Sequence, residues 1–153
     1  MSTLAALALL AGLVALSACI FTAMLFVFAA VTGWRALARR YPASAGPAGR
    51  TYRIDSTVLG AWGWNAPPLR ATLDDGGILL RAVAPFGIAF RPVHLPWEAI
   101  REVRHREFLL FRVTQISYGT GSGAVIGFAA SPFVADVEAR LRARGKPVAG
   151  PSV

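Results

Sequence analysis

Three hydrophobic regimes follow one another along the chain. From Leu4 to Thr32 apolar and small residues run without a charge or a proline; from Arg50 to Phe128 apolar and polar positions alternate in short runs; from Phe133 to Leu141 apolar residues recur every fourth position. An unbroken apolar run of 18 or more residues predicts a transmembrane helix, because a helix satisfies its own backbone hydrogen bonds where no water is present. Roughly 29 residues at 1.5 Å each reach about 43 Å, against a hydrocarbon core of about 30 Å. The helix is therefore expected to tilt, or to leave its first turn among the headgroups.

The alternating region predicts short strands. Thr51 to Asp55 reads as a first strand, and Ser56 to Pro68 as an irregular stretch broken by Gly60, Gly63 and Pro67-Pro68. Leu69 to Leu73 and Ile78 to Ala84 flank Asp74-Asp75-Gly76-Gly77, residues that tolerate the tight turn of a hairpin. Gly87 to Arg91 reads as a further strand with Ile88 and Phe90 on one face. In His94 to Ile100, Pro96 opens a turn that puts Trp97 and Ile100 on one side. Val103 to Tyr118 alternates, with Leu109, Phe111 and Val113 opposite Phe108, Leu110 and Arg112. It predicts two strands meeting near Arg106-Glu107, or one long bent strand. The glycine-rich run Gly119 to Gly123 precedes a strand-like Ala124 to Phe128. A phosphate-cradling loop needs a helix and a Lys-Ser/Thr next, so the run reads as a hairpin connection.

The third regime is an amphipathic helix. Ser131 is placed to cap it, Pro132 suits its first position, and Gly145 and Pro147 end it. Phe133, Val134, Val137 and Leu141 form the apolar stripe. Asp136 and Glu138 precede Arg140, Arg142 and Arg144 as the helix dipole favours, with Asp136–Arg140 and Glu138–Arg142 spaced to pair. Residues beyond Lys146 read as a frayed tail.

Composition refines the picture. The 153 residues include 16 Lys+Arg and 8 Asp+Glu, for a net charge of +8. The arginines are scattered, without a basic stripe or an RNA-binding signature, so no nucleic-acid partner is expected. Trp34 falls where an interfacial aromatic belongs, and Arg35, Arg39 and Arg40 follow it, while the N-terminal tail carries no side-chain charge. That bias places the C-terminal side in the cytoplasm. Three arginines fall short of the four to eight of a lipid-recognition cluster, and they read as a topology signal, with Gly33 to Arg40 continuing the helix out of the bilayer. The single cysteine, Cys19, lies in the span, so no disulfide forms within the chain.

The domain boundaries that follow are 1–40 for the transmembrane helix and basic flank, 41–49 for a Pro/Ala/Gly-rich linker, 50–146 for a β domain with its helix, and 147–153 for the tail. A cleaved signal peptide is disfavoured by the long apolar run and the uncharged start. Leu16-Ser17-Ala18-Cys19 resembles a lipobox, but Ile20 to Val31 stays apolar where a lipoprotein turns polar.

Candidate chemistry is sparse. His94 reads as a turn residue and His105 as a strand residue on a polar face; neither sits in a nucleophile–base motif. A zinc site needs several His or Cys ligands, and the one cysteine lies in the apolar span. The expectation is no enzyme, no cofactor and no metal. Arg101, Arg104 and Arg106, with His105 among them, are the local basic cluster and a candidate anionic-surface contact.

The segment Gly77-Ile78-Leu79-Leu80-Arg81 through Phe90-Arg91-Pro92-Val93-His94-Leu95-Pro96-Trp97-Glu98-Ala99-Ile100 resembles the "GL-x-L … F … IPW-x-x-I" pattern of small bacterial membrane proteins with a pleckstrin-homology-like (PH-like) domain. The resemblance covers about a quarter of the chain. It implies an α+β fold: a transmembrane helix, a bent antiparallel sheet, and a C-terminal helix plugging it, with Trp97 structural. It departs from phosphoinositide-binding PH domains, whose first inter-strand loop is basic, since Ser56 to Pro68 has no basic residue. The functional expectation is a single-pass inner-membrane protein displaying a cytoplasmic domain that binds a protein or the membrane surface. Its alternatives are a subunit assembled through helix packing at Ala8, Gly12, Ala15, Cys19 and Ala23, and an enzyme whose site follows no recognised motif.

Overall fold

The computed structural model describes residues 2–43, 49–59, 64–108, 111–119, 125–129 and 131–148. Helix α1 spans Thr3–Val31, capped by the Ser2 hydroxyl, and is apolar on every side. The hydroxyls within it turn back on their own helix: Ser17 donates to the Leu13 carbonyl at 2.9 Å and Thr22 to the Ala18 carbonyl at 2.8 Å. No part of its most apolar 18-residue stretch is buried by the rest of the chain.

The helix does not continue to Arg40. Gly33 adopts the left-handed conformation at φ 79°, and a separate helix α2 begins at Trp34 and ends at Arg40. Only glycine takes that conformation freely, so the chain changes direction there. Trp34, Leu37 and Ala38 then point into the domain.

Strand β1 is Arg50–Ile54, β2 Thr57–Leu59, β3 Trp64–Ala66 and β4 Leu69–Leu73. The expectation of an irregular Ser56 to Pro68 is therefore corrected. These four strands form one bent antiparallel hairpin, with Ile54 opposite Leu69 and Thr57 opposite Ala66. The bend lies at Pro67-Pro68, which lack the N–H groups the ladder needs.

The hairpin belongs to two sheets. Its β1–β4 half continues into β5 (Gly77–Ala82) and β6 (Val93–Pro96), giving the order β1-β4-β5-β6. Its β3–β2 half continues into β9 (Val125–Ala129), β8 (Phe111–Tyr118) and β7 (Ile100–Phe108), giving β3-β2-β9-β8-β7. The Asp74–Gly77 hairpin forms as expected, with the Asp74 carboxylate accepting from the backbone N–H of Gly76 and Gly77 at 2.8 and 2.6 Å. Gly87 to Arg91 is not a strand: Phe86–Ile88 is a 3-10 turn closed by local backbone bonds, leaving Ile88 outside and Phe90 inside. β7 and β8 meet three residues later than expected, with Phe108 opposite Phe111; Leu109 and Leu110 lie outside the described residues. β8 and β9 pair antiparallel, as a hairpin requires, although 120–124 is likewise outside them.

Helix α3 (Pro132–Ala143) packs on strands of both sheets. Phe133 meets Phe128 of β9 edge-on at 5.0 Å and Tyr52 of β1 at 5.6 Å, while Val134, Val137 and Leu141 are buried behind it. Ser131 occupies the cap position but its hydroxyl makes no capping bond. Of the two expected helix pairs, Glu138–Arg142 is formed at 2.9 Å. Asp136 instead accepts from the Tyr52 hydroxyl and pairs with Arg50, and Arg140 donates to the Asp74 carbonyl. Beyond the helix the chain is held as far as Val148, which bridges to Val103, so the tail is ordered past Lys146.

Candidate functional site

Chain segments that the sequence assigned to membrane and linker are built into the domain. Leu25 and Ala29 of α1 are in the hydrophobic core, and Phe28 packs on Phe90 with ring centroids 6.1 Å apart. Trp34, expected at the membrane interface, is 1% exposed; its indole meets Phe90 edge-on at 5.6 Å and donates to the Arg91 carbonyl at 2.9 Å. A buried indole needs such a partner, and the loop after the Phe86–Ile88 turn supplies it. Tyr41 and Pro42 are likewise part of the fold: the Tyr41 carbonyl accepts from His94 N–H at 3.0 Å, and Pro42 bridges to Val93 along the outer edge of β6.

This docking creates a cleft of about 310 Å³ between the end of α1, helix α2 and the loop before β6. Arg35 and Arg39, one turn apart on α2, line it together with Arg91. Trp34, Ala38 and Ala89 form the apolar floor, and Phe26 stands on the α1 side. No acidic residue lines the cleft. Three arginines lining a part-apolar hollow can attract an anion with hydrogen-bond acceptors. Arg40 turns away, its guanidinium 5.7 Å from the Tyr41 ring centroid.

Arg101, Arg104 and Arg106 are exposed along β7, where Arg104 pairs with Glu102 at 3.0 Å. They form a solvated face, and none of them lines the cleft at α2. His105 is turned inward, which corrects its placement on a polar face. Its Nε2 lies 3.1 Å from buried Glu138 and its Nδ1 3.0 Å from the Thr114 hydroxyl, tying β7 and β8 to α3. His94 belongs to β6 and pairs with Asp74 at 3.1 Å. Trp97 is fully buried, donates to the Asp74 carbonyl at 3.0 Å and carries Arg144 over its ring at 5.0 Å, so its role is structural.

Two phenols are displaced from their ordinary range. Burial, with a hydrogen bond to Asp136, raises Tyr52; burial, with the neighbouring Tyr41, pushes Tyr118 up to about 12. Among the described residues no three His, Cys, Asp or Glu side chains converge as metal ligands.

Arg91 was not a sequence candidate. It stands 52 to 56 positions from its cleft partners, and the signal linking them, Trp34 seated on Phe90 and Arg91, exists only in the fold. No protein-family model, curated protein or solved structure matches the chain.

Proposed function

We propose that the protein is a single-pass inner-membrane protein whose PH-like domain is a binding module held against the cytoplasmic membrane surface. One observation carries the reading: the part of α1 that the domain leaves uncovered has the length of a bilayer core. The roughly 22 residues from Thr3 to Met24 reach about 33 Å, close to the hydrocarbon thickness, whereas the full helix overshoots it. The excess is the stretch from Leu25 to Val31, one side of which, Leu25 and Ala29, enters the domain core. Arg35 and Arg39 follow directly, where headgroups begin. Two antiparallel sheets sharing a bent hairpin, with a terminal helix packed on strands of both, support the PH-like assignment.

Carbonate extraction of membranes from expressing cells tests the anchoring, and retention in the pellet is expected. A reporter fused after Val153 is expected to be active in the cytoplasm. Activity only on the opposite side would overturn the orientation, and release by carbonate would overturn the anchoring.

A further inference from the structure

Two hollows meet at Phe26 and together outline one ligand. We infer that the protein holds an anionic phospholipid at the foot of α1, its phosphate among Arg35, Arg39 and Arg91 and an acyl chain along the helix; this rests on the membrane reading above.

The first hollow is the arginine cleft. The second is a shallow groove of about 430 Å³ on α1, lined by Ala18, Cys19, Thr22, Ala23 and Phe26. Residues 18, 22 and 26 stack at four-residue spacing and residues 19 and 23 run beside them, so small side chains leave a furrow parallel to the axis. The Thr22 hydroxyl is already satisfied by the Ala18 carbonyl, which leaves the furrow without a polar demand of its own. Phe26 lines both hollows. Charge and apolar groove therefore follow one another along α1 in the order of a lipid's headgroup and tail.

The cleft itself selects for an anion. Arg35 and Arg39 are brought to one face by their spacing on α2, and Arg91 is fixed from below through the Trp34 bond to its carbonyl. Positive groups gathered without a carboxylate repel one another until an anion joins them. A phosphodiester offers two charged oxygens to planar guanidinium donors, a match that a chloride or a water lacks. Arg101, Arg104 and Arg106 line neither of these two hollows.

Native mass spectrometry of the full-length protein, released from detergent micelles containing equal phosphatidylglycerol and phosphatidylcholine, tests the inference. The expected result is one phosphatidylglycerol retained in preference to phosphatidylcholine. The variant R35Q/R39Q/R91Q should retain about a hundredfold less, since each arginine near a lipid surface changes binding about fivefold. The variant R101Q/R104Q/R106Q, with the same loss of charge, should retain it as the parent does. Equal loss in both variants, or equal retention of the two lipids by the parent, overturns the site. Ala23→Phe, which fills the furrow, should also lower retention; if it leaves retention unchanged and instead abolishes a dimer, the furrow seats a helix and the acyl half of the inference fails. Displacement of the lipid by soluble glycerol phosphate would show a site for free phosphate esters and overturn the lipid assignment. Carbonate extraction run alongside separates the two readings. Protein that stays in the pellet but retains no phosphatidylglycerol overturns the headgroup site alone, and protein stripped into the supernatant overturns both.

Discussion

Helices α1 and α3 place their apolar residues in opposite ways. In α3 the apolar residues occupy one stripe, and Phe133, Val137 and Leu141 are each 1% exposed or less. In α1 they occupy every face, and Leu7, Leu10, Leu13 and Ile20 are each about 60% exposed. The covering partner of α3 is in the chain, namely β1 and β9; among the described residues α1 is covered only over its last two turns. A stripe records an internal contact, whereas apolar residues all round are what the proposed membrane span requires. The end of α1 marks the crossover, where Leu25 and Ala29 are covered by the domain while Met24 and Val27 are not.

Substitutions that move this contrast should differ in size. Phe133→Ala removes a ring buried between Phe128 and Tyr52, and about 3–5 kcal/mol of domain stability should go with it. Phe21→Ala, on the uncovered part of α1, should leave the domain's unfolding midpoint in detergent unchanged. A comparable loss at Phe21 would mean that the domain covers more of the helix than its last turns.

Alkali should weaken the seam between Tyr41 and the second sheet. Tyr118 holds its proton up to about pH 12 in the folded protein, while the unfolded chain releases it near pH 10. The folded state thus binds more protons across that window, so stability falls as pH rises through it. Partial exposure keeps the loss to about 2 kcal/mol at most. Tyr118→Phe should flatten that part of the curve, and an unaltered alkaline slope in the variant would assign the effect elsewhere.

Gly33→Ala should cost about 1 kcal/mol, because a Cβ at φ 79° is disfavoured even though nothing lies within 4 Å of it. The loss should appear as looser packing of Trp34, read by the quenching of its fluorescence. The smallest effect is expected at Ser131→Ala. An ordinary cap loses about 1 kcal/mol on this change, but the Ser131 hydroxyl has no partner, so the midpoint should stay within about 0.5 kcal/mol of the parent. A full capping loss would show that the hydroxyl does bond the helix.

The sequence was most legible where one local rule sufficed. Asp74-Asp75-Gly76-Gly77 specified its own hairpin, and the spacing from Phe133 to Leu141 specified the buried stripe. It was least legible where partners come from far away. Pro67-Pro68 read as a break, yet the strands on either side of it form one hairpin bent between two sheets. Gly33 read as one more residue of a helix, since nothing local announces that Phe90 waits to receive Trp34. His105 looked polar-faced because its acceptor, Glu138, belongs to the last helix. The cleft needed the same long-range information: Arg35 and Arg39 were recognised as a basic flank, but their convergence with Arg91 is a product of tertiary packing.

The Tyr41–Pro42 segment along β6 has a practical consequence for anyone trimming the chain. A fragment starting at Arg50 would omit it, together with the helix turns over Phe90. The His94 N–H would then lose its acceptor, and the flank of β6 would stand open as a template for a neighbouring molecule's strand. Such a fragment invites edge-to-edge association, and a self-contained soluble piece has to begin upstream of Leu25 and carry part of the greasy helix with it.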